Sequence, residues 1–136
     1  MISSYNSISQ VVAANGLLNF DTNRILTGCT VGHAEGTPTF KLTKPGYYYI
    51  TFNATATNAA AGNVTAQLRN GTTVIPGAIA TASVAAVTDV INLAFATIIK
   101  VPPSCCAIDN TATLSIINSG IEATYDVANL NITKLC

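Results

Sequence analysis

The amino-acid sequence predicts an all-β domain, a sandwich of two antiparallel sheets. Alanine is abundant, yet no window sustains the ~3.6-residue period of a helix, and Thr, Val, Ile and Asn dominate between turn signals. Segments of strand character recur at intervals of about 8–12 residues, which is typical of sandwiches and jelly rolls. With 136 residues, the chain has the length of one such domain.

Turn signals divide the first third of the chain into short predicted strands. Asn15-Gly16 separates the first two, and the glycine-rich residues 23–37 predict a loop that includes one short strand. Lys44-Pro45-Gly46 is a predicted turn. Residues 1–8 are predicted as a short N-terminal arm, followed by a single domain at residues 9–136. The predicted strands in this part are residues 9–14, 17–20, 38–43 and 46–57.

The strand after Lys44-Pro45-Gly46 begins with three consecutive tyrosines and is aromatic on both faces near its start. Side chains alternate between the two faces of a strand, so Tyr48 and Ile50 are predicted to face the core while Tyr47 and Tyr49 face outward. A strand at the surface of a monomer would show one polar face. The outward tyrosines therefore predict that another surface covers this strand.

A hairpin follows in the middle of the chain. Residues 63–69 alternate apolar with polar side chains, and Asn70-Gly71 is a strong hairpin signal because a type I′ turn needs positive φ at both central residues. The returning strand is predicted to end at Pro76-Gly77. The remaining predicted strands are residues 72–75, 79–85, 87–101, 112–117 and 125–135, which gives about nine or ten strands in all.

The longest apolar segment runs from Val87 to Val101. Bulky side chains occupy most of its odd positions, and small or polar ones occupy even positions, including Ala94 and Ala96. This alternation predicts one core face and one closely packed outer face. Pro102-Pro103 should end the strand, because proline has no N–H for the ladder.

The composition excludes several classes of function. Charged residues make up only 9% of the chain, against about 25% in ordinary soluble domains, and six basic side chains balance six acidic ones. There is no basic patch for nucleic acid and no run of about 18 apolar residues to cross a membrane. Residues 1–10 lack the features of a signal peptide. We expect no nucleic-acid partner, no membrane insertion, and a surface partly hidden against other subunits.

No motif indicates catalysis. His33, the single histidine, is predicted to lie in a surface loop, and the carboxylates are scattered, with no close pair for acid–base chemistry. Cys29 and His33 are suitable zinc ligands, but their spacing is not diagnostic. We expect a non-enzymatic protein with no catalytic, cofactor-binding or metal site. Free thiols, a disulfide and a metal site all remain open for the cysteines, which are Cys29, Cys105, Cys106 and Cys136.

Four stretches together resemble a known superfamily. Over residues 9–136 the chain resembles the tumour necrosis factor and complement globular-head superfamily, in its bacterial or phage branch. The resemblance implies a jelly roll of two sheets that associates as a tight trimer. The stretches are Phe40-x-Leu42-x-Lys-Pro-Gly-Tyr-Tyr-Tyr-Ile-x-Phe52, Asn63-x-x-x-Gln-Leu-Arg-Asn-Gly71, Leu93-x-Phe95 before a proline-rich turn, and Leu130-Asn-Ile132.

The resemblance also implies a trimer interface, since alternate residues of the aromatic strand face the threefold axis in that superfamily. The collagen stalk and the acidic calcium cluster of some members have no counterpart in this sequence, so no receptor or ligand residues are carried over. Assigned by strand parity, the interface residues are Tyr47, Tyr49, Thr51, Ala94, Ala96, Asn129 and Asn131.

The expected function is structural. The chain should form a homotrimeric head on the virion surface of a bacteriophage, as a capsid decoration or head-fibre protein, with a capsid, fibre or other surface-layer protein as its partner. The alternative is a receptor- or glycan-binding trimeric head of a phage tail, a bacterial cell surface or a spore coat.

Overall fold

The structure is a computed structural model that describes residues 1–58, 60–86, 89–103 and 112–135. The described residues form twelve β-strands and no helix. In chain order the strands are β1 (Ile2–Asn6), β2 (Gln10–Val12), β3 (Gly16–Leu17), β4 (Thr22–Leu26), β5 (Val31–Gly32), β6 (Phe40–Leu42), β7 (Gly46–Thr57), β8 (Gly62–Asn70), β9 (Thr73–Val84), β10 (Ile91–Val101), β11 (Ala112–Asn118) and β12 (Ala123–Lys134).

The strands form two six-stranded sheets packed face to face. The front sheet has the order β10-β7-β12-β1-β4, with β2 also paired to β12. The back sheet has the order β5-β6-β11-β8-β9, with β3 also paired to β11. All of these pairings are antiparallel. The predicted all-β jelly-roll sandwich is therefore confirmed.

Strand β7 lies between β10 and β12 in the front sheet and has the bounds that the sequence predicted, Gly46–Thr57. Its core-facing side chains are buried, and Tyr48 and Ile50 have no exposed surface. The Tyr48 hydroxyl donates a 2.6 Å hydrogen bond to the Lys44 carbonyl, which ties the strand to the turn before it. Burial raises the pKa of Tyr48, so this hydroxyl keeps its proton.

The hydrophobic core fills the space between the sheets. Its largest members are aromatic residues and leucines from both layers, with Tyr125 from the front sheet and Phe40 from the back sheet fully buried. In β10 the odd positions face this core as predicted: Leu93 is 1% exposed, and Phe95 packs against Phe52 at a centroid distance of 5.2 Å. The even positions of β10 therefore face outward, away from the core.

The N-terminal residues, predicted as an arm, instead form β1 in the interior of the front sheet. Strand β1 pairs with both β12 and β4. Ile2 is fully buried opposite Ile132, and the Ser4 hydroxyl donates to the Thr22 carbonyl over 3.0 Å. The first and last strands of the chain therefore lie side by side.

Two other elements differ from the prediction. Residues 23–37 contain strand β5 and most of strand β4, so the glycine-rich segment is more ordered than a loop. The Pro76-Gly77 pair does not end a strand, because β9 continues through it from Thr73 to Val84. Strand β9 is an edge strand, and its register with β8 shifts between Gln67 and Arg69, so the missing proline N–H interrupts no ladder.

A buried polar cluster joins four segments at one end of the sandwich. Asn118, at the end of β11, has no exposed surface. Its amide nitrogen donates to the carbonyls of Val12 at 3.1 Å, Ala13 at 3.3 Å and Ile121 at 2.9 Å. Its amide oxygen accepts from the Tyr125 hydroxyl at 3.0 Å. Every polar atom of the Asn118 side chain is thus paired inside the protein.

The close packing of the turn after Asn118 can be tested by an alanine substitution at Gly120. Gly120 lies so close to β8 that a Cβ atom there would meet backbone atoms, the Asn63 oxygen and, at 2.7 Å, the Thr65 nitrogen. We expect Gly120→Ala to lower the free energy of unfolding by about 2–4 kcal/mol, because neither backbone group can rotate away. Chemical denaturation would measure this loss. Gly32→Ala is the control, since a Cβ there has nothing within 4 Å; equal stability of the two variants would contradict the prediction.

Candidate functional site

The residues predicted for the trimer interface all belong to the exposed face of the front sheet, which we call the front face. Strand pairing places them side by side. Thr51 lies between Ala96 and Asn131, and the Asn131 amide donates to the Thr51 hydroxyl at 3.1 Å. In the next row, Asn53 lies between Ala94 and Asn129. Tyr47 and Tyr49 continue the face toward the start of β7.

The front face exposes large apolar side chains. Tyr47 is 44% exposed and Tyr49 is 41% exposed, as parity predicted. Three further apolar residues that were not predicted lie on the same face by strand position: Ile98, Val127 and Leu135 are 57%, 51% and 52% exposed. Ile98 has the same parity as Ala94 and Ala96, so the alternation of β10 could have revealed it.

The front face carries little charge. Apart from Asp126 at the β12 bulge, whose carboxylate accepts a hydrogen bond from the Ser9 hydroxyl, the outward positions of β7 and β12 hold Tyr, Thr, Asn and Val. The outward positions of β10 hold Asn, Ala, Ile and one lysine. That lysine, Lys100, places its ammonium 5.8 Å from the Tyr47 ring centre, and Arg24 lies 4.9 Å from the Tyr5 ring centre at the other side of the sheet. The center of the face is thus uncharged, apolar and amide-rich.

One polar atom on this face lacks a partner. The amide oxygen of Asn129 is buried, and no hydrogen-bond donor reaches it from the described residues. A buried acceptor of this kind costs stability unless it is paired. The unpaired oxygen is therefore a local cost to this part of the front sheet.

A groove runs along one edge of the sandwich, where the unpaired sides of β9 and β10 face each other. Its volume is about 710 Å³. Its lining is largely aliphatic and proline side chains and includes Val74, Ile75, Ile98 and Val101. Val74 is itself 40% exposed. The molecule therefore presents two different apolar surfaces, the front face and this edge groove.

The residues considered for metal binding are not part of a metal-holding group in the described part of the chain. His33 is only 8% exposed, so the prediction of a surface-loop histidine was wrong; it packs on Phe40. Cys29 is an exposed free thiol. Cys105, Cys106 and Cys136 lie outside the described residues. Within the described ranges, no group of three or more His, Cys, Asp or Glu residues could hold a metal ion.

The described chain also has no helix that is long and apolar enough to cross a membrane.

Comparison by sequence gives no match, either to a protein-family model or to a curated protein. Comparison by structure, in contrast, finds similar proteins. The vertex protein P5 of phage PRD1 superposes with a TM-score of 0.62 at 17% identity, covering 99% of this chain and 96% of that one.

Two crystal structures of murine APRIL, a tumour necrosis factor-family protein, also match. The structure at pH 5.0 has a TM-score of 0.65 at 6% identity, and the one at pH 8.5 has a TM-score of 0.56 at 7% identity. Each comparison covers 98% of both chains. The chain therefore has the tumour necrosis factor-like jelly-roll fold, which a phage vertex protein also adopts.

Proposed function

We propose that this protein is a non-enzymatic structural protein, a homotrimeric jelly-roll head that decorates or stabilises the surface of a phage virion. The front face is the observation that carries the proposal. A face with an uncharged centre, on which two tyrosines and Ile98 are more than 40% exposed, is unusual for a monomer, because exposed apolar patches of this kind mark interaction surfaces.

A second copy of the same chain is the occupant that fits this face. Strands β10, β7 and β12 have 11 or 12 residues each, and β1 and β4 have 5 each. With ~3.3 Å per residue and ~4.8 Å between strands, the front face measures about 700 Å². This is close to the area that one partner buries in a standard interface, about 800 Å². The front face is therefore large enough to form one side of a stable contact between subunits.

The edge groove supplies the complementary surface. In a cyclic trimer, each contact is heterologous, so one subunit must offer two different patches that fit one another. The front face and the β9–β10 edge are two such patches, both apolar. Because Ile98 belongs to both, the two patches are continuous around the edge of the sandwich. This arrangement supports a closed ring of three subunits.

The fold shared with the PRD1 vertex protein supports the placement on a virion, with a capsid, fibre or other surface-layer protein as the attachment partner. The test is immunogold electron microscopy of phage particles produced from the genome that encodes this chain. We expect gold on the capsid surface of intact particles. Particles without label, or label confined to the tail tip, would contradict a capsid-decorating role.

The receptor- or glycan-binding alternative requires a recessed polar pocket. The β9–β10 groove is lined mainly by aliphatic and proline side chains, which suits subunit packing better than sugar hydroxyls. Screening the purified protein on a glycan array separates the two functions. Selective, saturable binding to one glycan class would favour the receptor-binding head.

A further inference from the structure

The fold separates the charged residues by sign, although the net charge of the chain is zero. Four lysines lie at the end of the sandwich where β7 begins, which we call the lysine pole. Lys100 on β10 and Lys134 on β12 pair with the first two tyrosines of β7. Lys44 lies in the turn before β7, and Lys41 lies on β6, which leads into that turn. Both sheets therefore contribute lysines to this pole.

Acidic residues lie at the opposite end, which we call the turn pole. Asp21 accepts a hydrogen bond from the backbone N–H of Ser7, in the turn after β1. Asp126 lies at the bulge of β12 beside the end of β7, Glu122 lies just before β12, and Asp89 lies just before β10. Along β7, about nine residues of ~3.3 Å each separate the two poles, which are therefore about 30 Å apart.

The other charged residues do not cancel this separation. Arg24 on β4 lies beside the middle of β1, and Arg69 on β8 pairs with Ser115 in the middle of β11. Glu35 accepts a hydrogen bond from the backbone of the residue before Arg24, so it also lies between the poles. Asp109 lies outside the described residues. Among the described residues, one end of the molecule is therefore basic and the other acidic.

Most carboxylates of the turn pole are engaged within the chain. Asp21 accepts hydrogen bonds from two hydroxyls, at 3.0 and 2.9 Å, and Asp126 accepts one from a hydroxyl at 3.0 Å. Asp89 accepts from two backbone N–H groups, at 3.2 and 3.0 Å. These carboxylates hold the turns of the molecule in place, so less of their bonding capacity is left for a partner.

The lysine pole, in contrast, has ammonium groups that are free to bind a partner. Lys41 and Lys44 are exposed, and within the described part of the chain neither side chain has a hydrogen bond or an ion pair. Leu26, which ends β4, adds an apolar side chain that is 47% exposed. Both arginines, the residue type that pairs with phosphate through two parallel hydrogen bonds, lie away from this pole. Carboxylates on an acidic protein surface therefore match the lysine pole better than a nucleic acid does.

We propose that the lysine pole is the attachment surface of this protein and that it binds an acidic protein surface of the virion. The proposal rests on the virion-surface role and adds to it the end of the molecule that faces the particle and the chemistry of the partner. Complementary charge speeds association and fixes the orientation of the bound molecule. In a trimer whose strands run along the threefold axis, rotation keeps the three lysine poles at one end, so the three attractions act together.

Zero-length cross-linking of intact phage particles tests which pole faces the partner. A carbodiimide joins an amine directly to a carboxylate, and mass spectrometry then identifies the linked peptides. We expect Lys41 and Lys44 to be linked to aspartates or glutamates of another virion protein. Links made only by the acids of the turn pole, Glu122 and Asp126, to lysines of another virion protein would overturn the proposal. If the chain is missing from purified particles, the virion role itself is contradicted.

A binding measurement keeps the test decisive if no cross-link forms. Purified protein is added to particles from a genome that lacks its gene. The double variant Lys41→Gln with Lys44→Gln should bind about tenfold more weakly than the unmodified protein at about 50 mM NaCl, and the difference should shrink at about 300 mM, because salt screens exposed charges. The matched control, Arg24→Gln with Arg69→Gln, removes the same net charge between the poles and should bind like the unmodified protein.

Three results of this binding measurement would overturn the proposal. The first is equal weakening in the two double variants, which would mean that net charge rather than the lysine pole decides binding. The second is binding that does not change with salt. The third is tighter binding of the lysine pole to duplex DNA than to the particles, which would assign this pole to a nucleic acid. In the first two cases the protein still binds the particle, so the virion role would stand.

Discussion

Replacing Tyr49 with aspartate should turn the proposed trimer into monomers. Tyr49 lies on the front face between Ile98 and Thr133, in the row that we expect a neighbouring subunit to cover. A carboxylate placed there would be buried without a partner in each of three contacts, at a cost of about 3–5 kcal/mol per contact. Size-exclusion chromatography with light scattering would measure the change in mass.

Two further variants separate loss of assembly from loss of folding. Tyr49→Phe keeps the ring and should remain trimeric. Thr113→Asp puts the same charge on an exposed position of the back sheet and should also remain trimeric. If Tyr49→Asp still has the mass of a trimer, the interface is not on the front face, and if the unmodified protein is a monomer, the trimer proposal itself is wrong.

Replacing Asn118 with alanine should cause the largest loss of monomer stability. The change leaves the Val12, Ala13 and Ile121 carbonyls and the Tyr125 hydroxyl without their shared partner in the interior. Each buried group left unpaired costs about 1–3 kcal/mol, although water entering the vacated space recovers part of this. We expect a total loss of about 3–5 kcal/mol, measured by chemical denaturation.

The matched control for this loss is Tyr125→Phe. It removes one hydroxyl and leaves only the Asn118 amide oxygen unpaired, so it should cost about 1–2 kcal/mol. Burial raises the pKa of Tyr125 well above its ordinary value, so the hydroxyl keeps its proton and remains a donor at neutral pH. A loss below about 1 kcal/mol for Asn118→Ala would mean that this cluster does not hold the end of the sandwich together.

The parts of the fold that the sequence predicted are those with local signals. Strand β7 follows a Pro-Gly turn and alternates regularly, and its bounds match the prediction. The hairpin between β8 and β9 forms where it was predicted, and Gly71 has a φ of 60°. Its two turn residues are Gly71 and Thr72 rather than Asn70 and Gly71, because Asn70 pairs with Thr73 in the ladder. Most of the front face was predictable for the same reason, because a two-residue alternation assigns the outward residues of a regular strand once one is known. The bulge between Tyr125 and Val127 breaks that alternation in β12.

The parts that were missed depend on contacts between distant segments. In β1 the core-facing positions include Ser4 and Asn6, which are 0% and 4% exposed, so polar side chains hide the usual alternation. Ser4 is buried only because the Thr22 carbonyl accepts its hydrogen bond. His33 is similar: Asn23 and Thr37, which hold its ring, come from two different segments, and no spacing in the sequence shows that they meet.

The pairing of the first strand with the last has a practical consequence for protein engineering. The Met1 and Thr27 backbones hydrogen-bond to each other, and Leu135 donates to the Tyr47 carbonyl, so both chain ends emerge at the pole where β7 begins. The turns around Ser7, Ala60 and Gly120 lie at the opposite pole. A tag or cargo fused to either end would project from one pole and leave the other pole free. The molecule can therefore serve as a scaffold that presents peptides, inserted in the turns of the free pole, away from its point of attachment.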